Sequence, residues 1–389
     1  MQRAQAPIAK LDFVNLVASM SDVTPARIGL LMDYLDESGG YDVNILPSLQ
    51  LVADDLRERG ILERPVEFVV RAVQGLPKGS FRAVRDAFHE LVDENCLVIF
   101  GPWVSENGVA LRQDVEALAE VPCITMAGTE TMLGEWMFGL PAGSMEEEPI
   151  IMATVAALDG CRSVGIAFED SLIGNEYLRT TRVACKDAGL RITGEVAIPQ
   201  VQADKRVAMQ RLADSRPDAI MHVGFGLGLP GMNEALSHIG WLPPRYTTTA
   251  FEFAATSDWW RHQLAGWIGL DQYDERNETA RQFLDAFEAR YGHRPEYFFP
   301  IYCYDIGRLM MLAMAQARPL TGPGVKEALE RIKMLPAASG APGTRLRFGK
   351  YIRHGWVGSE FLVARRVLPD GSATVLHGTI EGLVEASGT

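Results

Sequence analysis

The chain lacks any apolar run approaching the roughly eighteen residues that a bilayer-crossing helix requires, so no segment reads as a membrane span. Cysteines are few. Cys96, Cys123, Cys161, Cys185 and Cys303 are odd in number, widely separated and never in a C-x-x-C pair. That pattern excludes a disulfide framework, marks them as small apolar residues and leans toward a reducing compartment. Basic residues are outnumbered, 37 Lys and Arg against 50 Asp and Glu, for a net charge of −13. A phosphate backbone binds a basic face, so nucleic acid is not an expected partner. Catalytic and metal-binding motifs are missing too. No G-x-S-x-G occurs, the histidines form no H-E-x-x-H, and Gly349-Lys350 is followed by Tyr351 where a phosphate loop carries Ser or Thr. No enzyme activity, metal or cofactor is therefore expected. Near the amino end, Leu11–Met20 is apolar but interrupted by Asp12 and Asn15, with no charged segment before a clean apolar core, so it does not read as a secretory leader. The chain as written reads as cytoplasmic, and as periplasmic or otherwise extracytoplasmic if a leader has been removed.

What is present is alternation. With 389 residues, 47% hydrophobic and 22% charged, the chain is globular and long enough for two domains. Strands are predicted at Arg27–Leu35, Val66–Val73, Cys96–Phe100 and Cys123–Met126. Helices fall between them, one ending near Arg59-Gly60, the others over Lys78–Asn95 and Glu106–Glu120. Near Phe138–Pro141 a second run begins, with strands at Ser163–Phe168, Ile192–Ile198, Asp218–Val223 and Tyr246–Ala250, and an apolar run at Gly266–Leu270. Such alternation predicts parallel sheets with helices on both faces. Helical patterning then takes over in Asn277–Tyr291, Tyr297–Ala317 and Val325–Met334. Leu346–Phe348, Phe361–Val367 and Ala373–His377 read as strand and hairpin, with Asp370-Gly371 as the turn. The late helices cannot complete a domain alone, so they are expected to cover the first sheet while the hairpin completes the second. The fold class is α/β, two Rossmann-like lobes of parallel sheet joined by three crossings near Pro141, Leu270 and Gly343. One lobe would hold residues 1–141 and 271–343, the other 142–270 and 344–389.

Two strand ends carry the chemistry. Leu97–Phe100 runs into Gly101-Pro102-Trp103-Val104-Ser105, and Cys123–Met126 into Ala127-Gly128-Thr129. The end of a buried parallel strand opens onto the next helix's amino terminus, where free N–H groups can hold an anionic or polar ligand. Two such loops from successive strands make a binding wall rather than a catalytic centre. A rival lies at Gly226-Leu227-Gly228-Leu229-Pro230-Gly231, a G-x-G-x-x-G after a strand with Glu252 about twenty residues on, the dinucleotide fingerprint. Against it, Pro230 stiffens the helix entry and the surrounding domain has already begun two strands earlier.

Several segments, in order, resemble the type I periplasmic binding proteins, in particular the branched-chain amino acid (Leu/Ile/Val) binding family. They are Arg27-Ile28-Gly29-Leu30 with Gly39-Gly40, Ile99-Phe100-Gly101-Pro102 with Ser105, and Val121-Pro122-Cys123-Ile124 with Ala127-Gly128-Thr129. Ala167-Phe168-Glu169-Asp170 with Ile173-Gly174, and Pro217-Asp218-Ala219-Ile220, complete the set. The resemblance implies a hinge-closing binding protein that captures a small carboxylate- or amide-bearing ligand for an ABC transporter permease. A cytoplasmic amide-sensing regulator with a regulatory protein partner is the alternative on the same fold. It further implies that Ser105, Ala127, Gly128 and Thr129 form the polar floor for a carboxylate. Ile173 stands where the family usually has an aromatic ring, and Phe225 offers a ring without a hydroxyl. Glu252 could meet an ammonium group. With Tyr34 and Trp103 as apolar cover, the cleft is expected to be more apolar than an ordinary amino acid requires.

Overall fold

The computed structural model describes residues 24–35, 39–201, 203–378 and 382; Leu11–Met20, weighed above as a leader, lies outside them. The first sheet is built on β1 (Ala26–Met32), whose two-residue alternation sends Ile28, Leu30 and Met32 to one face and Leu31 to the other. The first set packs with α1 (Ile45–Glu58), where Ile45, Leu49, Val52 and Leu56 form an apolar stripe. Leu31 packs with Val84, Phe88 and Leu91 of α2 (Phe81–Asp93). A strand covered on both faces must be apolar throughout, which is why this segment is visible in the sequence. With β2 (Val66–Ala72), β3 (Val98–Phe100), β4 (Cys123–Thr125) and β5 (Met137–Gly139), all parallel, the order is β2-β1-β3-β4-β5. Helix α3 (Ser105–Leu118) joins β3 to β4.

Helix α4 (Glu147–Leu158) leads into the second sheet. Its parallel strands are β6 (Ser163–Glu169), β7 (Arg191–Ile198), β8 (Ala219–Val223), β9 (Arg245–Thr247) and β10 (Ile268–Asp271). Between them run α5 (Leu172–Asp187), α6 (Arg206–Asp214), α7 (Met232–His238) and α8 (Asp258–Gln263). Then come α9 (Glu278–Tyr291), α10 (Phe298–Gln316) and α11 (Gly322–Leu329), of which α10 returns to the first sheet. Tyr302 of α10 donates to the Leu140 carbonyl, and its ring lies 6.0 Å from that of Phe100 on β3.

The chain ends differently from the expected pattern. Strands β11 (Leu335–Pro336), β12 (Arg345–Leu346) and β13 (Trp356–Val357) form a small antiparallel sheet of their own. This unit attaches to the first sheet's open edge. Gly139 N–H donates to Arg353 O at 2.8 Å, Gly355 N–H to Gly139 O at 2.7 Å, and Phe348 meets Phe138 edge-on at 5.0 Å. An unpaired strand edge is a strong attractor for such pairing. Leu346–Phe348 therefore does not complete the second sheet, and the return comes after Val357 rather than near Gly343. The hairpin β14 (Val363–Val367) and β15 (Thr374–Gly378) does join that sheet, antiparallel, giving β15-β14-β10-β9-β8-β6-β7.

The crossing segments meet at one atom. The Pro141 carbonyl accepts from Gln272 Nε2 at 3.3 Å, just past β10, and from Trp356 Nε1 at 2.9 Å in β13.

Candidate functional site

Asp33, directly after β1, has no exposed surface. It accepts from the Trp103 N–H at 2.6 Å, the Val104 N–H at 3.3 Å and Asn107 Nδ2 at 2.7 Å, which fixes the turn from β3 into α3. Burial raises its carboxyl to about 6, while these donors act in the opposite direction. Gly101 makes the turn possible, for its φ is +127° and a Cβ there would stand 2.2 Å from the Leu31 carbonyl oxygen.

The turn delivers Ser105 as the first residue of α3. Val104 occupies the capping position, so the Ser105 hydroxyl is not used as a cap, and it bonds to none of the described residues. The helix's first N–H groups are without intrahelical acceptors. In the neighbouring loop, the Ala127 N–H is spent on Thr125 Oγ1 at 3.1 Å. The N–H groups of Gly128 and Thr129 donate to no described residue. Thr129 differs from Ser105 because its hydroxyl is engaged. It donates to Glu176 Oε1 of α5 at 3.3 Å, a bond between the lobes.

The facing wall comes from the second lobe. Phe225, in the loop after β8, meets Tyr34 edge-on at 5.4 Å, and Lys78 Nζ lies 5.2 Å over the Tyr34 ring. Trp103 lies 5.4 Å from Phe299 and 5.6 Å from Phe100, and its Nε1 is buried with no partner among the described residues. Ile173, in the first turn of α5, is 4% exposed and belongs to the apolar core. Glu252 sits in a 3₁₀ turn, Thr249–Ala255, whose first two residues were expected to end the strand Tyr246–Ala250. The strand stops at Thr247 because Thr248 caps the turn and Glu148 accepts the Thr249 N–H at 2.7 Å. Glu252 Oε1 is buried without a partner among the described residues. Burial, then the carboxylates of Asp271 and Glu148, push its carboxyl well above the ordinary range.

The two walls differ in character. Unused donors lie on the first lobe, at Ser105 and the Gly128 and Thr129 amides. From the second lobe the Glu176 carboxylate reaches this wall through Thr129, whereas the Glu169 carboxylate is turned onto its own lobe's loop. Glu106, beside Ser105, has its carboxyl raised by burial and by the nearby charges of Glu169 and Glu176. Glu106, Glu176 and Phe299 were not singled out from the sequence, and Glu169 entered it only within the segment Ala167–Asp170, with no role. Glu176 falls one turn beyond Ile173 and Glu106 follows Ser105, and those spacings were the available signals.

The glycine loop after β8 is occupied by the chain itself. Phe225, Gly226 and Gly228 all donate their N–H groups to Glu169, so the amides that a pyrophosphate would need are taken. Among the described residues, no group of three His, Cys, Asp or Glu side chains could hold a metal ion, and no helix is long and apolar enough to cross a membrane.

The profile of the periplasmic binding protein family matches residues 25–359. No curated protein matches the chain in sequence. Solved structures share the fold at low identity. A type 1 periplasmic binding protein from Bordetella pertussis superposes with a TM-score of 0.75 at 17% identity, over 91% of this chain and all of that one (100%). An ABC transporter substrate-binding protein from Desulfitobacterium hafniense, in complex with Leu, gives 0.74 at 15%, over 90% and 100%. A solute-binding protein from R. palustris, in complex with 4-hydroxybenzoate, gives 0.73 at 17%, over 91% and 96%.

Proposed function

Since the chain belongs to the periplasmic binding protein family, we propose that it captures a small, partly apolar carboxylate or amide between its lobes and delivers it to an ABC transporter. The observation that carries this reading is the polarity of the cleft. Among the described residues, donors without partners lie on the first lobe, at the Ser105 hydroxyl and the Gly128 and Thr129 amides, and a buried acceptor without one, Glu252 Oε1, on the second. A ligand carboxylate would satisfy the donors, and an ammonium or hydroxyl at its other end would satisfy Glu252. The ligand body would lie among Tyr34, Trp103, Phe225 and Ile173, with Phe299 behind Trp103. Ala127 would contribute shape, since its N–H is already used. Binding groups from both walls at once stabilises the closed form.

The rings around this space favour a flat or branched apolar body, and the structural relatives include complexes with Leu and with 4-hydroxybenzoate. Thermal unfolding against branched amino acids, short amides, hydroxybenzoates and nicotinamide dinucleotides tests the reading. A ligand at about a hundred times its Kd adds roughly 2.7 kcal/mol and raises the midpoint by a few degrees. A shift with one small acid or amide supports capture. A shift confined to dinucleotides overturns it.

A further inference from the structure

Glu169 closes β6 with no exposed surface, and the ligand-binding reading leaves it without a task. Four donors converge on its carboxylate. Oε1 accepts the Gly226 N–H at 2.9 Å and the Gly228 N–H at 2.6 Å. Oε2 accepts the Phe225 N–H at 3.0 Å and Gln200 Nε2 at 3.1 Å. His222, also without exposed surface, brings Nε2 to 3.5 Å from Oε1, while its Nδ1 lies 2.9 Å from Thr247 Oγ1. Backbone N–H groups turned together on one acceptor form a nest of the kind that holds phosphate or carboxylate ions. In this chain the anion is supplied from within. Burial alone would raise the Glu169 carboxyl, yet His222 and the loop donors bring it below the usual carboxylate range.

We infer that Glu169 is an internal anion seated in the Phe225–Gly228 amide nest, and that it acts as the positioning residue for Phe225, the second lobe's contact with Tyr34. The nest stands on hydrogen-bond geometry alone; the consequence for closure rests on the cleft reading proposed above. The loop has the glycines of a phosphate cradle because it is one, already filled. Remove the carboxylate, and a small external oxyanion should take its place.

Amide hydrogen exchange on the full chain tests this without any knowledge of the physiological ligand. In the unmodified protein the Phe225, Gly226 and Gly228 amides should exchange slowly. In Glu169→Ala they should exchange about tenfold faster or more, as for loss of hydrogen bonds to a charged acceptor. Sodium formate, against sodium chloride at equal ionic strength, should slow these amides again in the variant and leave the unmodified protein unchanged. The Tyr34 and Phe225 ring resonances should move with the substitution and return with formate. A carboxylate that only stabilised the fold would lower the unfolding midpoint but give no response to formate. Fast exchange in the unmodified protein, slow exchange in the variant, or a variant indifferent to formate overturns the inference. If Glu169→Ala does not fold, Glu169→Gln, which retains one acceptor oxygen, should show intermediate exchange at the same amides, and exchange as slow as in the unmodified protein overturns it. The ligand panel on the unmodified protein tests the cleft reading separately, so either can fail alone.

Discussion

Ser105 and Thr129 both bring a hydroxyl to the loops of the first sheet, but they bring it in different states. The Ser105 hydroxyl bonds to none of the described residues, whereas Thr129 already reaches across to Glu176. Ser105→Ala should therefore weaken binding of a carboxylate by about 0.5–1.5 kcal/mol, more if the bond is to a charged oxygen, with the unfolding midpoint of the free protein unchanged. Thr129→Ala should cost a similar amount and also favour the open form, since it removes a bond between lobes. Calorimetric titration with the ligand identified in the panel measures the first effect, and small-angle scattering of the free protein the second; equal scattering from both variants would remove Thr129 from the latch. Gly226 has φ +114°, and a Cβ there would stand 2.9 Å from Phe253 and from Ala250 Cβ. Gly226→Ala should destabilise by about 1–3 kcal/mol through backbone strain and overpacking, read as a lowered midpoint. The loops at Ser105 and Ala127-Gly128-Thr129 were legible because their polar residues follow apolar strands directly. Glu169 and Glu176 were not, because what defines them is a partner far along the chain. The backbone donors to Glu169 lie 56 to 59 residues away, a separation that no local pattern encodes.

At the scale of elements, the long strands and helices sit close to where periodicity placed them, and burial on two faces, as in β1, or a capping side chain of the right type helps to fix several of them. Asn277 illustrates the second case. It caps α9 through the Thr279 N–H at 2.9 Å and the Ala280 N–H at 3.4 Å. Its Nδ2 donates to the Gly340 carbonyl at 3.0 Å, with the Ala337 and Ala341 carbonyls at 3.2 and 3.4 Å. Asn277→Ala should cost at least about 2 kcal/mol, a lost cap together with buried groups left unpaired, and denaturant unfolding would check it. A loss below about 0.5 kcal/mol would mean that water replaces the side chain without penalty. What the sequence concealed were the shortest strands. β5 has three residues and β11 and β13 two each, too few for a period of two to repeat, while β12 overlaps the strand expected over Leu346–Phe348 at Leu346 alone. Their pairing is dictated by the free edge at Gly139, which becomes visible only when the sheet is assembled.

For the whole molecule, buried carboxyls make stability depend on pH in a definite direction. Burial raises Asp33 from 3.8 to about 6, and Glu148 from 4.5 to about 7. Between those limits the folded chain keeps protons that the unfolded chain has released, so stability must fall as pH rises through the window. Below the ordinary values both states are protonated and this contribution is fully present. The unfolding midpoint should be higher near pH 5 than near pH 7.5, and Glu148→Gln should flatten the difference. A midpoint that rises across the same interval would mean that groups of opposite shift dominate.

The Pro141 carbonyl, holding Gln272 and Trp356 at once, constrains how the lobes can travel. Three independent ribbons would permit bending, twisting and sliding; hydrogen bonds from two of them to the third at one oxygen resist their sliding past one another. Trp356→Phe, which removes one of these bonds, should widen the range of lobe separations in the free protein as read by small-angle scattering, and an unchanged profile would take Pro141 out of the hinge.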